Sequence, residues 1–302
     1  VITIPLHTRF LYVMLRRKTQ FGLDSAFHRL TTVISICDVV YTIIFMLSEP
    51  AQFGFFEDFY KSIGSTMGRL YIVESVTIFF VGRLFHLVLT LNRMTATCFP
   101  LKHANFWRNR LKIVIIFLWA VFIAVSAPLL KLEGTWRNTV SPLQGGALAF
   151  GLKDVSASFL YQLFAIVGFT IVEATSVLLY VAIFLNLRKF KNQSKVAIRM
   201  TFAALLMCIA VWCQTVVVAV EFISVFLLGA DDIVSPDLFV AILKLLTSLS
   251  CAITPWTMIL LFQRVRTTVF GESDVSTNKV RSMATQNTLF HINHISTTVH
   301  SG

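Results

Sequence analysis

Six windows of roughly 20 apolar residues, the length that crosses a bilayer core as a helix, recur along this chain at 27–47, 70–91, 113–130, 159–187, 201–227 and 238–262. Lipid supplies no partners for backbone N–H and C=O groups, so such windows must close their hydrogen bonds internally, as helices packed into a bundle. The charge supply agrees: 14% of the 302 residues are charged and 56% are apolar, against about 25% charged in a soluble domain. A soluble enzyme is excluded. The opening run, residues 1–15, is also apolar but shorter, and Arg16, Arg17 and Lys18 follow it. A signal peptide places its positive charges first. The run therefore reads as the inner part of a truncated first span, and the whole as a seven-helix, all-α membrane domain over 1–270.

Charge placement sets the expected topology. The segments after the first, third, fifth and last spans hold 18 basic residues against Asp24, Glu272 and Asp274, while the three alternate segments hold five basic residues against eight acids. Basic residues stay on the cytosolic side, which puts the N-terminus outside and the C-terminus inside. The net +11 is thereby explained by topology, and no nucleic-acid partner is implied. Residues 131–158, with GTWRN and PLQGG, read as an irregular outer loop. QRVRTTVF, 263–270, reads as a short amphipathic turn on the inner leaflet. Residues 271–302, rich in Ser, Thr, Asn and His, read as a disordered cytosolic tail.

Cysteines at 37, 98, 208, 213 and 251 form neither a CxxC spacing nor a dense framework, so neither a metal site nor a disulfide scaffold is expected. The HINH run at 291–294 offers only two histidines, too few for a metal site. No nucleophile motif or phosphate-binding glycine loop stands out, and no cofactor is expected.

Ionisable residues inside the spans are the functional candidates. At about 1.5 Å per residue above the nearest cytosolic basic residue, Glu74, Glu221 and Lys244 reach one outer level, where they either line a ligand pocket or snorkel to the interface. Glu173, roughly 22 Å above Arg188, is too deep to snorkel and should face the bundle. Asp38 lies roughly 13 Å above Arg29 and Arg83 roughly 15 Å above Arg93. The matched depths predict a buried Asp38–Arg83 pair between the second and third spans. Alternatively, Asp38 binds water or a sodium ion and Arg83 bonds backbone carbonyls. A transporter or ligand-gated channel is the competing reading, with Asp38, Arg83, Glu173 and Glu221 along an ion path. Lys244 lies eleven residues before Pro255, misplaced by a turn for a retinal Schiff base.

The stretch LNRMTATCFPLKHANFW, residues 91–107, resembles the end of the third span and second inner loop of nematode serpentine chemoreceptors of the Srg superfamily. TIPLHTRFLYVMLRRK, FHRL, CDVVY and GFFEDFYKSIGSTMGRLYI are most similar to its Srv branch. The resemblance implies a receptor in the plasma membrane of chemosensory cilia that binds a small molecule and activates a heterotrimeric G protein. It places Arg93, with Asn92, Pro100 and Lys102, at the coupling end, although Arg93 also fits an ordinary positive-inside anchor. By depth and polarity, Glu74, Glu173, Trp212, Glu221 and Lys244 are the candidate ligand-binding residues. Departures are visible: no outer-loop cysteine joins the third span, VWCQ at 211–214 lacks the usual following proline, and TPW at 254–256 replaces an Asn-Pro motif.

Overall fold

The computed structural model describes residues 3–16, 25–52, 55–73, 79–139, 147–189, 195–223 and 236–270. Its elements in order are α1 (Thr3–Arg16), α2 (Ser25–Gln52), α3 (Glu57–Ser62), α4 (Gly64–Ile72), α5 (Phe79–Cys98) and α6 (Pro100–Lys131), then β1 (Gly134–Thr139) and β2 (Ala147–Leu152), and finally α7 (Val155–Lys189), α8 (Lys195–Phe222), α9 (Pro236–Leu261) and α10 (Gln263–Phe270). Among the described residues, Ala26–Leu47 of α2, Pro100–Lys131 of α6, Phe159–Leu187 of α7 and Ile198–Val220 of α8 are each long and apolar enough to cross a membrane. Leu245–Leu261 and α10 form a fifth candidate, bent by 106°. α1 packs on α2, and α4 and α5 occupy the 70–91 window, the third span, on either side of residues 74–78. The result is a serpentine helical bundle. Asn192 and the tail from 271 fall outside the described residues.

α6 shows how lipid shapes the pattern. Its buried positions, His103, Trp107, Leu111, Leu118, Ser126 and Leu129, recur at steps of three, four, seven and eight residues and form one narrow stripe. Ile113, Ile116, Phe117 and Ile123 are exposed, a face no soluble helix leaves bare. α6 also starts earlier than its apolar window, because Pro100 at its first turn is pre-set for a helix and gives up no needed N–H. Only Phe99 separates it from α5, and the Phe99 carbonyl accepts from the Lys102 and His103 amides at 3.1 and 3.0 Å. The connection is pinned from inside. Thr95 Oγ1 accepts the Trp107 indole N–H at 2.8 Å and meets His103 Nδ1 at 3.0 Å.

α5 is the central helix: it touches α2, α6, α7 and α8. α10 turns its Val265 and Val269 inward and leaves Arg264 and Arg266 exposed, the amphipathic arrangement its sequence predicts.

The segment 131–158 departs from expectation. It contains an antiparallel hairpin, β1 on β2, in register from Gly134 opposite Leu152 to Thr139 opposite Ala147. GTWRNT has no apolar alternation to announce a strand, because the hairpin is held by docking on α4 rather than by a two-faced sheet. Gly134 lies against the α4 backbone: a Cβ there would stand 2.8 Å from the Arg69 nitrogen and closer still to the Ser65 carbonyl. Trp136 covers Gly64, whose own Cβ would collide with the indole, and the Lys61 ammonium sits 5.3 Å from the Trp136 ring centroid. Tyr60 of α3 donates to the Leu47 carbonyl at the end of α2, and burial pushes its phenol above the ordinary range, so it remains a donor.

Candidate functional site

Arg83, His86, Thr90, Arg93 and Thr97 follow one another at steps of three and four residues on α5. At 100° per residue they fall within about 80°, one polar stripe facing the bundle interior, and all five are buried.

At the upper end of the stripe, Arg83 Nη1 contacts Glu173 Oε1 of α7 at 3.0 Å and the Val211 carbonyl of α8 at 3.3 Å, and it also bonds the Thr215 hydroxyl. The Phe169 ring lies under the guanidinium, 4.3 Å from carbon to centroid. The Trp212 indole lies beside the same Glu173 carboxylate. Seven residues along α5, Thr90 Oγ1 stands 3.4 Å from the Tyr180 hydroxyl of α7 and 3.6 Å from Cys208 Sγ of α8. One heptad further, the Thr97 carbonyl accepts Asn186 Nδ2 of α7 at 2.9 Å. Positions 83 and 90 on α5 match 173 and 180 on the parallel α7, and 215 and 208 on the antiparallel α8. Three helices are thus tied by polar rungs about 10 Å apart.

This geometry corrects the expected Asp38–Arg83 pair. Arg83 takes Glu173, whereas Asp38 Oδ2 accepts the Thr254 hydroxyl of α9 at 3.0 Å. α5 continues five residues past Arg93 to Cys98, so a depth scale that starts at Arg93 places Arg83 more than a turn too low. Measured from Cys98, Arg83 stands roughly 22 Å up, level with Glu173.

Asp38 and Arg83 nevertheless line one cleft. α2 contributes Cys37, Asp38 and Tyr41, α5 contributes Gly82, Arg83 and His86, and Val211 of α8 with Ser250 and Cys251 of α9 complete a cavity of about 30 Å³. That is space for about two waters. Ser250 belongs to a further chain of bonds joining α8 to α9: Gln214 Nε2 donates to Thr247 Oγ1 at 2.6 Å, and the Ser250 hydroxyl stands 3.3 Å from Gln214 Oε1. Helical spacing alone aligns Arg83, His86 and Arg93 on one face, whereas charge at matched depth marks neither the ladder nor Ser250. The seven-residue recurrence of 83, 90 and 97 was the signal available.

The basic end is arranged around Arg93. Its Nε donates to Asn92 Oδ1 at 2.9 Å, its Nη1 stands 3.0 Å from Met200 Sδ of α8, and its guanidinium carbon is 4.7 Å from the Phe27 ring centroid of α2. With 2% of its surface exposed, it is no interfacial anchor in this conformation. Pro100 and Lys102 are exposed on the first turn of α6. Glu173 is buried and Trp212 half-buried. Glu74 and the side chains of Glu221 and Lys244 lie outside the described residues.

The chain matches the Srg family chemoreceptor description over residues 1–269. It is similar to serpentine receptor class V-1 of Caenorhabditis elegans, at 23% identity over 222 residues, 69% of this chain and 68% of that protein. With that match running through every helix of the polar-cored bundle, the chain belongs to the Srg family of chemoreceptors.

Proposed function

We propose that the protein binds a small chemical cue in the cleft between α2, α5, α8 and α9, and that it passes the signal to a heterotrimeric G protein at the basic end. The observation that carries this reading is the α5 stripe. One rigid helix holds Arg83 and His86 at the cleft and Arg93 at the other end, so displacement of the upper rung is felt at the lower. Arg93 presents a rigid fork of donors suited to carbonyls and carboxylates, and Asn92, Pro100 and Lys102 form its surroundings. Glu74, Trp212, Glu221 and Lys244 extend the ligand region outward. The protein works in the plasma membrane of sensory cilia, N-terminus outside and Ser/Thr-rich tail inside.

The test is expression in a reporter cell challenged with volatile and water-soluble small molecules, reading cAMP, cGMP and calcium. An agonist response that Arg93→Ala abolishes at unchanged surface expression supports the reading. A response that survives Arg93→Ala removes Arg93 from coupling. Orientation is checked at the sequon Asn192-Gln193-Ser194: glycan attached there in cells would place this loop in the lumen and reverse the topology.

A further inference from the structure

We infer that the cleft takes the head of a small protonated amine, an ammonium-type cation carrying only a few carbon atoms. The inference rests on the reading of the cleft as the ligand site and names the chemistry of the ligand.

Charge balance comes first. Arg83 and Glu173 neutralise each other at 3.0 Å, which leaves Asp38 as the lining carboxyl without a basic partner. Its Oδ2 accepts only a neutral hydroxyl, that of Thr254, and among the described residues no lysine or arginine pairs with it. A carboxylate at this depth calls for a cation.

Hydrogen-bond capacity points the same way. Nδ1 of His86 is buried and without a partner, and the residue is 6% exposed. In the tautomer that carries its hydrogen on Nε2, this nitrogen accepts. The Ser250 hydroxyl hydrogen is directed to the Thr247 carbonyl, at 2.9 Å, or to Gln214, so toward a ligand its oxygen is an acceptor as well. A carboxylate, an imidazole nitrogen and a hydroxyl oxygen are three acceptors, and an alkylammonium head has three N–H donors. An anionic ligand would face Asp38 directly, and only a cation lets its carboxylate stay ionised at this depth.

The walls fix the size and set this cation apart from a metal ion. Cys37 and Cys251 are thiols, and Tyr41 adds a ring on which a cation rests favourably. Hard monovalent and divalent cations prefer shells built of oxygen, whereas weakly polar walls suit carbon. The cavity of about 30 Å³ admits the head group, and Gly82 leaves room for what is attached to it: a Cβ there would meet nothing within 4 Å.

The full chain in lipid nanodiscs tests this by thermal unfolding with methylammonium, propylammonium, sodium and potassium chlorides at equal ionic strength. The alkylammonium salts are expected to raise Tm saturably and the inorganic salts not to. Asp38→Asn should weaken the apparent affinity about tenfold or more, and Gly82→Leu should weaken propylammonium more than methylammonium. Should Asp38→Asn fail to fold, Ser250→Ala and Gly82→Leu carry the comparison. Equal Asp38-dependent stabilisation by sodium overturns the amine in favour of an inorganic cation, and the absence of any shift with a folded wild type overturns it outright. Signalling separates this failure from that of the site itself. If Gly82→Leu abolishes the response to a cue that is not an amine, the cleft stands and the amine falls. If Gly82→Leu leaves every response intact, the cleft is not the ligand site.

Discussion

Arg83 and Glu173 form a 3.0 Å ion pair across the α5–α7 contact, with side-chain exposures of 1% and 10%, while Asp38 turns to Thr254. Breaking a buried pair by removing one partner strands the other charge, typically for about 3–5 kcal/mol. Arg83→Gln and Glu173→Gln are each expected to lower the thermal stability of the purified receptor sharply, and the double variant to lose much less than the two effects added. Additivity within about 0.5 kcal/mol would mean that the two side chains share no energetic link. Asp38→Asn combined with Arg83→Gln should couple more weakly, because the two residues share the cleft without a direct contact.

At the basic end the prediction concerns resting activity. Phe27 and Met200 hold Arg93 through a ring face and a thioether. A cation–π contact is worth about 0.5–2 kcal/mol, so Phe27→Leu should shift the resting-to-active ratio by roughly 2- to 30-fold, read as basal signalling without ligand. Met200→Leu should act in the same direction. Unchanged basal signalling in both variants, at equal surface expression, would show that these contacts do not restrain Arg93.

The hairpin gives a pair of glycine substitutions with opposite outcomes. At Gly134 an added methyl meets the backbone of α4 at Ser65, Gly68 and Arg69, whereas at Gly82 it meets open space. Backbone cannot swing aside as a side chain can. Gly134→Ala is therefore expected to cost at least about 1–3 kcal/mol, the range for overpacking, and to reduce surface expression. Gly82→Ala, in a helix interior, should be neutral or stabilising by up to about 1 kcal/mol. Equal stability of the two variants would contradict the docking of β1 on α4.

The membrane class, the bundle and the basic end were legible because they depend on length, hydropathy and charge, which are sums along the chain. The partner of Arg83 was not, because depth depends on where each helix ends. Pro100 starts α6 directly after Phe99, and this lets α5 run on to Cys98, a turn beyond the arginine that marked the interface. The hairpin escaped for a related reason: Gly134 and Trp136 find their partners on α4, about 70 residues earlier, and no local periodicity records that contact. Ser250 escaped because uncharged polar residues in a helix are usually satisfied by their own backbone, as Thr31, Thr90 and Ser176 are here.

The last prediction concerns the middle rung. Thr90, Tyr180 and Cys208 lie within 3.4–3.7 Å of one another, one heptad below the Arg83–Glu173 pair, with Arg93 nearly one turn further along α5. These are long, weak contacts, and the Thr90 hydroxyl already has the His86 carbonyl at 3.0 Å. Removing the Tyr180 hydroxyl should therefore cost only about 0.5–1.5 kcal/mol of stability. Its position between the cleft and the basic end makes a different readout informative. If the rung keeps α5, α7 and α8 in step, Tyr180→Phe should leave the ligand concentration for half-maximal response nearly unchanged and lower the maximal response. Cys208→Ala should do the same, and the two together should add little beyond either one. A rung that serves only packing would give a different pattern: reduced surface expression with full response per receptor. Measuring response against receptor number at the surface separates the two, and a normal maximum in both single variants would mean that the signal reaches Arg93 by another route.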